Sequence, residues 1–329
     1  MELLIEIGIA VVKVVVVFVC VLLCVAYTTW LERKVLGHMQ VRCGPLRVGW
    51  HGLLQPIADG LKLFFKEDIV VSGANKFLYI ISPLIATIAA YASFAVIPFG
   101  DRIALFGRSI DLHIADIDIG VLYIFALSSL SVYGVTLAGW SSNSKYALLG
   151  GLRASAQMIS YELSIGLSII GVLMLSGSLR LVDIVARQDV WYIVKQPIGF
   201  LIFLICGFAE CNRSPFDLPE AENELVAGFH VEYSSMKFAL FFMAEYAHMI
   251  VVSALVATLF LGGWRGPVLP GFVWLFIKVF AILFLFIWVR ATFPRFRYDQ
   301  LMKFGWKVLF PLALLNILVT GFCAAVWGV

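Results

Sequence analysis

The sequence predicts an all-α polytopic membrane protein with about eight transmembrane helices and amphipathic interfacial helices in its cytoplasmic loops. Three observations carry that expectation. Hydrophobic residues make up 62% of the 329-residue chain and charged residues only 14%, with a mean hydropathy of +0.97. This lies far beyond the apolar share of an ordinary globular domain. Apolar runs long enough to cross a hydrocarbon core of about 30 Å as helices recur along the chain. The short alternating segments of a membrane barrel are missing, which leaves helices, whose backbone groups pair within each span.

The runs lie near residues 3–27, 77–97, 117–138, 159–175, 191–209, 238–261, 273–289 and 308–327, so that residues 1–329 read as a single integral membrane domain. The first run is too long for the core of a cleavable signal and has no basic region before it, so it reads as a span. Orientation follows from Lys and Arg. Arg33, Lys34, Arg42, Arg47, Lys62, Lys66 and Lys76 follow the first run, Lys145 and Arg153 the third, and Arg213 and Lys237 the fifth. Arg290, Arg295, Arg297, Lys303 and Lys307 follow the seventh, against only Arg102, Arg108, Arg180, Arg187 and Arg265 on the opposite side. The first set is expected in the cytoplasm, with both termini outside. The acidic connection after the fifth run joins that cytoplasmic set, because Asp and Glu weigh little in the rule.

Soluble enzyme chemistry finds no support. There is no Gly-rich phosphate loop after a strand, no nucleophile elbow and no His-Glu-x-x-His. Cys20, Cys24, Cys43, Cys206, Cys211 and Cys323 include no Cys-x-x-Cys pair and no iron–sulfur spacing. No metal site is expected, and the Cys20/Cys24 pair reads as packing.

The connection from Trp30 to Lys76 is too long for a turn. From Leu53 it reads as an amphipathic helix in the interface, with Leu54, Ile57, Leu61 and Phe65 near one face and Asp59, Lys62 and Lys66 toward others. Periodicity alone favours the plainer version, a surface helix with snorkelling lysines.

Carboxylates are the unusual feature. Glu210, Asp217, Glu220, Glu222, Glu224 and Glu232 crowd one short connection, Glu162 sits just inside the fourth run, and Glu245 lies in the sixth with His248 three residues on. Glu245 and His248 can project from one helix face toward a common neighbour. A charged carboxylate at mid-bilayer costs roughly 2.5–3.5 kcal/mol on insertion scales, so it asks for a partner, water or a proton. Asp217-Leu218-Pro219-Glu220 also has the spacing of a helix cap, which could explain Asp217 and Glu220 but leaves Glu222, Glu224 and Glu232 unaccounted for. A carboxylate kept for packing specificity is the plainer alternative for the buried acids.

Several blocks are shared with a known family: Glu32-Arg33-Lys34-Val35-Leu36-Gly37, Gln40-Val41-Arg42-Cys43-Gly44-Pro45, Leu54-Gln55-Pro56-Ile57-Ala58-Asp59, Tyr161-Glu162, Ala209 to Glu222 with Glu224-Leu225-Val226 and Glu232-Tyr233, and Phe293 to Met302. Over essentially its whole length the chain resembles the H subunits of bacterial respiratory complex I, counterparts of mitochondrial subunit 1. Leu46 and Trp50 depart from the pattern, in a loop where relatives commonly carry asparagine and proline. Trp50 and His51 either touch quinone or anchor that loop at headgroup level, the simpler reading.

The resemblance implies a non-redox-centre subunit of a proton-pumping NADH:quinone oxidoreductase, inactive when isolated. Arg33, Arg42, Asp59, Phe216, Arg295 and Arg297 would line a quinone tunnel, with quinone (ubiquinone or menaquinone) as substrate. Glu162, Glu210, Asp217, Glu220, Glu222, Glu224 and Glu245 would form the proton path. The chain itself would bind no cofactor, FMN and iron–sulfur clusters being held by partner subunits. Its partners would be peripheral subunits at the quinone site, small membrane subunits and lipids, with no nucleic acid. Its place would be the bacterial inner membrane, or the mitochondrial inner membrane for an organellar host. A related membrane subunit of an energy-converting hydrogenase, a stand-alone secondary transporter and a purely anchoring subunit are the competing readings.

Overall fold

A computed structural model describes residues 2–105, 108–218 and 226–327. Its helices are α1 (Glu2–Met39), α2 (Gln55–Phe65), α3 (Lys76–Ala92), α4 (Gly120–Ser141), α5 (Lys145–Ser176), α6 (Leu181–Ala186), α7 (Tyr192–Lys195), α8 (Pro197–Glu210), α9 (Ser235–Phe260), α10 (Gly271–Thr292), α11 (Tyr298–Phe304) and α12 (Phe310–Trp327). One π turn, Gly305–Leu309, joins α11 to α12. Among the described residues seven helical runs are long and apolar enough to cross a membrane: α1, α3, α4, α5, α9, α10 and Tyr298–Val326.

The all-α expectation holds for the bundle, but the connection between α3 and α4 adds a small antiparallel hairpin, β1 (Arg102–Leu105) and β2 (Arg108–Asp111). Its register sets Arg102 opposite Asp111, and the two form an ion pair at 2.7 Å. Hydropathy does not see so short a ribbon of mixed apolar and charged residues.

Of the eight expected spans, the one near 191–209 differs most. It breaks at Gln196 (φ −132°, ψ 56°) into the single turn α7 and the 14-residue α8, which covers roughly 21 Å at helical rise, less than a bilayer core. Pro197 lacks an N–H, so it can only start a helix here. Non-helical backbone is tolerated at membrane depth where protein buries it, and the buried Gln196 is well partnered. Its Nε2 donates to Thr320 Oγ1 at 2.6 Å, and its Oε1 accepts from Asn316 Nδ2 at 2.9 Å.

Two helices outrun their expected edges. The helix α1 continues to Met39, so Glu32-Arg33-Lys34 stands on helix, and the 32-residue α5 starts at Lys145, so Glu162 falls near its middle. The hydrophobic run marks only the stretch that needs lipid, whereas the backbone ladder continues past it.

The core is built on α9, where every residue from Met249 to Phe260 is buried, while α1 is exposed along most of its length. The turn Gly228–His230 comes close because Gly150 has no side chain: a Cβ there would stand 2.6 Å from Gly228 Cα. The amphipathic helix is α2, with Ile57, Leu61, Phe64 and Phe65 exposed on it.

At the end of α9 away from the acidic connection, Lys278 of α10 closes the fold. Its Nζ donates to Leu261 O (2.7 Å), Gly263 O and Arg265 O (both 2.8 Å), and it faces the rings of Trp191 and Trp274 at 5.2 and 5.9 Å. Three donors meet three carbonyls, one at the C-cap of α9 and two in the loop that follows it. Lys278→Met is therefore expected to destabilise this end by on the order of 3 kcal/mol. The check is the yield of folded protein after mild detergent extraction, which Lys278→Arg should lower less.

Candidate functional site

The acidic connection is tied to the bundle before any charge is paired. Gln157 Nε2 donates to Ala209 O at 2.8 Å and Phe216 O at 2.7 Å, and Tyr79 Oη donates to Glu232 O at 2.5 Å while stacking on Tyr233 at 4.1 Å. These contacts fix both ends of a segment that carries charge into the interior.

Around it runs a chain of charges, with Glu32, Arg213 and Glu210 buried and Arg290, Glu245, His248 and Glu162 half-buried. Glu32 of α1 accepts a hydrogen bond from Tyr246 Oη at 2.7 Å, pairs with Arg290 of α10, and lies 3.5 Å from Arg213 Nη1. Arg213 Nε lies 2.8 Å from Glu245 Oε1, and its guanidinium covers the Tyr246 ring at 4.3 Å. Planar Arg suits this position because its fork serves two carboxylates while its face stacks on an aromatic ring. Farther in, Glu210 accepts from Ser128 and lies 3.2 Å from His248 Nε2, while Glu162 accepts from Ser129. The expected common neighbour of Glu245 and His248 does not materialise as one partner. Glu245 turns to Arg213, and His248 turns to Glu210.

Asp217 joins the same region through Arg295 at 2.9 Å. Burial pushes its carboxyl above the usual range, and Arg295, Arg290 and Arg213 oppose that shift without cancelling it. Glu220, Glu222 and Glu224 lie outside the described residues.

The residues expected to line a tunnel form separate groups. Asp59 of α2 pairs with Arg33 at 2.6 Å and also receives Gln55 at 3.2 Å and Lys62 at 3.4 Å. Partial burial works against ionisation of Asp59, but Arg33, Gln55 and Lys62 outweigh it and hold the carboxyl below its usual range. Phe216 is buried between Tyr161 (5.8 Å) and Phe296 (5.5 Å), next to the Asp217–Arg295 pair. Arg42 and Arg297 are exposed and bond locally, to Gln40 at 2.6 Å and Asp299 at 2.9 Å.

Two cavities meet here. The larger, about 530 Å³, is lined by Glu32, Arg33, Arg213, Arg290, Tyr246 and their apolar neighbours. The smaller, about 60 Å³, opens between Glu210, Glu245 and His248 and has room for a few waters. His230 and Phe242 line both. Burial holds the His230 imidazole at about 4, so it is neutral at pH 7. The unfolded chain takes up this proton near the ordinary value of 6.5, so folding stability is lost as pH falls from there toward about 4. His230→Gln is expected to flatten that part of the stability–pH curve, read from the midpoint of thermal inactivation between pH 7 and 5.

Sequence reasoning missed Ser128, Ser129, Tyr246, Arg290 and His230 as site residues, and it read Glu32 only as a member of a shared block and Arg213 only as that and as a cytoplasmic charge. A hydroxyl or tyrosine inside an apolar run carries no signal of its own. Arg290 and Arg213, each flanking a span next to a carboxylate-bearing helix, were the available hints. Among the described residues no group of three or more His, Cys, Asp or Glu side chains could hold a metal ion.

A family model described as NADH dehydrogenase matches residues 12–321. The chain belongs to the NADH dehydrogenase family. Within it, the chain is 63% identical to the first of the NADH-quinone oxidoreductase H subunits of Geobacter sulfurreducens, over 94% of this chain and 93% of that protein. It is 62% identical to the second such H subunit of Geobacter metallireducens, over 94% of each chain, and 52% identical to the second of Rhizobium meliloti, over 98% and 99%. Family membership and seven long apolar helical runs make this a multi-pass membrane protein.

Proposed function

We propose that this chain is the H subunit of a proton-translocating NADH:quinone oxidoreductase, forming part of the quinone-access tunnel and the first stretch of the proton path. Its family and the names of its relatives support the assignment. The observation that carries the coupling role is the continuous run of charge from Arg290 and Glu32 through Arg213 to Glu245, which joins the larger cavity to the carboxylate chamber.

In this reading quinone is the substrate and reaches the larger cavity past Arg33, Asp59 and α2. Arg42, Phe216, Arg295 and Arg297 line the rest of its tunnel. Reduction of quinone consumes protons and changes the charge at that wall. Arg213 is held between Glu32 and Glu245, so a change at Glu32 alters how strongly Arg213 stabilises the Glu245 carboxylate. Coupled sites titrate as a group, so the shift passes on to Glu210 and Glu162. Asp217, Glu220, Glu222 and Glu224 complete the path.

The redox groups, flavin and iron–sulfur clusters, belong to partner subunits at the peripheral side, and small membrane subunits flank this chain. In this reading both termini face the periplasm of a bacterial inner membrane, which the distribution of Lys and Arg supports. The test is a gentle-detergent isolate of the tagged chain, assayed for inhibitor-sensitive NADH:quinone reductase and for hydrogenase in parallel. Quinone reduction with a large co-purifying assembly is expected. Hydrogenase activity without quinone reduction would overturn the assignment.

A further inference from the structure

Ser129 gives Glu162 a hydroxyl with two places to put its hydrogen. Ser129 Oγ lies 3.0 Å from the Phe125 carbonyl oxygen, one turn earlier on α4, and the same Oγ meets Glu162 Oε1 on α5. A hydroxyl has one hydrogen and two lone pairs, so it cannot donate to both acceptors at once. With Glu162 ionised, the hydrogen points to the carboxylate, and the Phe125 carbonyl keeps its ordinary place in the helix. With Glu162 protonated, the carboxyl O–H donates to Ser129 Oγ, and the serine hydrogen turns to Phe125. Both protonation states are then satisfied without moving a heavy atom.

This matters because Glu162 is half-buried, and a carboxyl drawn out of water that is satisfied in only one protonation state bears a cost in the other. Ser128, the preceding residue, projects about 100° away around the helix and serves Glu210 instead, beside His248. Adjacent hydroxyls on α4 thus hold carboxylates from two different helices. Glu210 and His248 are also the titratable groups that face Glu162 across this gap.

We propose that Ser129 is a positioning residue that lets Glu162 take up and release a proton at low cost; this rests on the proton path proposed above. The step forms one carboxyl O–H bond with an arriving proton and later breaks it. No electron moves, and the serine hydrogen is turned rather than transferred.

The test uses the assembled complex in proteoliposomes. Ser129→Ala is expected to slow quinone-coupled proton translocation about tenfold, the effect of losing one hydrogen bond to a charged group, and to change its solvent deuterium isotope effect. NADH oxidation by an artificial acceptor should be unchanged. Ser129→Thr keeps the hydroxyl and the bond one turn back, and should restore both rate and isotope effect. In a Glu162→Gln background, Ser129→Ala should have no further effect. Should Ser129→Ala lower the amount of assembled complex, Ser129→Cys fills the site left by the hydroxyl, weakens the donor and carries the same test. Normal translocation in Ser129→Ala, failure of Ser129→Thr to restore it, or a loss additive with that of Glu162→Gln would each overturn the inference. If Glu162→Gln itself translocates normally, the role of that carboxylate falls and the inference falls with it. If Glu162→Gln is impaired while Ser129→Ala is not, only the inference falls.

Discussion

Arg213→Met is expected to give little or no assembled, quinone-reducing complex. Arg213 is buried, within ion-pair distance of both Glu32 and Glu245, and stacked on Tyr246. Removing one member of a buried ion network costs about 3–5 kcal/mol, because the partners stay behind with no compensation. Glu32 would keep Arg290 and Tyr246, whereas Glu245 would lose the only cation within ion-pair distance of it among the described residues. Arg213→Lys separates charge from geometry. A lysine keeps the positive charge but is a single point without a flat face, so it cannot serve two carboxylates and stack at once. Assembly should then recover while inhibitor-sensitive quinone reduction stays depressed, with assembly read by native gel and turnover with short-chain quinone. Full activity in Arg213→Lys would show that charge alone suffices, and full activity in Arg213→Met would remove Arg213 from the site.

The elements of this fold that were legible in the sequence are those that depend on lipid, and those that were not depend on distant partners. The runs near 77–97, 238–261 and 273–289 match α3, α9 and α10 closely, because a helix in hydrocarbon announces itself by composition alone. The run near 191–209 hides a break, since hydropathy counts Gln196 and Pro197 as two residues in an apolar average. The Gln-Pro pair was nevertheless a readable sign of a helix boundary. The charged ends of α1 and α5 fell outside the expected spans because helices continue into polar surroundings, which moved Glu162 from the edge of a span to the middle of a helix.

For the site, residue types were legible and partners were not. Glu162, Glu210 and Glu245 stood out because carboxylates are rare at that depth. Nothing local joins Glu32 to Tyr246 or Arg290, which are 214 and 258 residues away along the chain. The pairing of Glu245 with His248 followed helix spacing correctly but ignored what faces the helix. Arg213 and Glu210 stand three residues apart around the end of α8, and each draws off one member of that pair.

Glu245→Gln is expected to leave the complex assembled and NADH oxidation by artificial acceptors intact, while quinone-coupled proton translocation slows about tenfold or more. The substitution keeps the shape and removes only the charge and the exchangeable proton. Arg213 retains Glu32, so the fold loses one partner of a network rather than its centre, and this is why assembly should survive here and fail in Arg213→Met. Glu245 lines the smaller cavity while its cation lines the larger, so the Arg213–Glu245 pair is where a change in one chamber is felt in the other. A neutral amide cannot report that change, because it has no titratable group whose proton affinity Arg213 could alter. Glu245→Asp keeps the charge but shortens the reach, and should give an intermediate loss with the wild-type ratio of protons to electrons at saturating quinone. The deciding measurement is protons moved per electron in proteoliposomes, with assembly verified in the same sample. A wild-type ratio in Glu245→Gln would show that charge passes from the larger cavity to Glu210 by another route, and the buried ion chain would then be a structural brace.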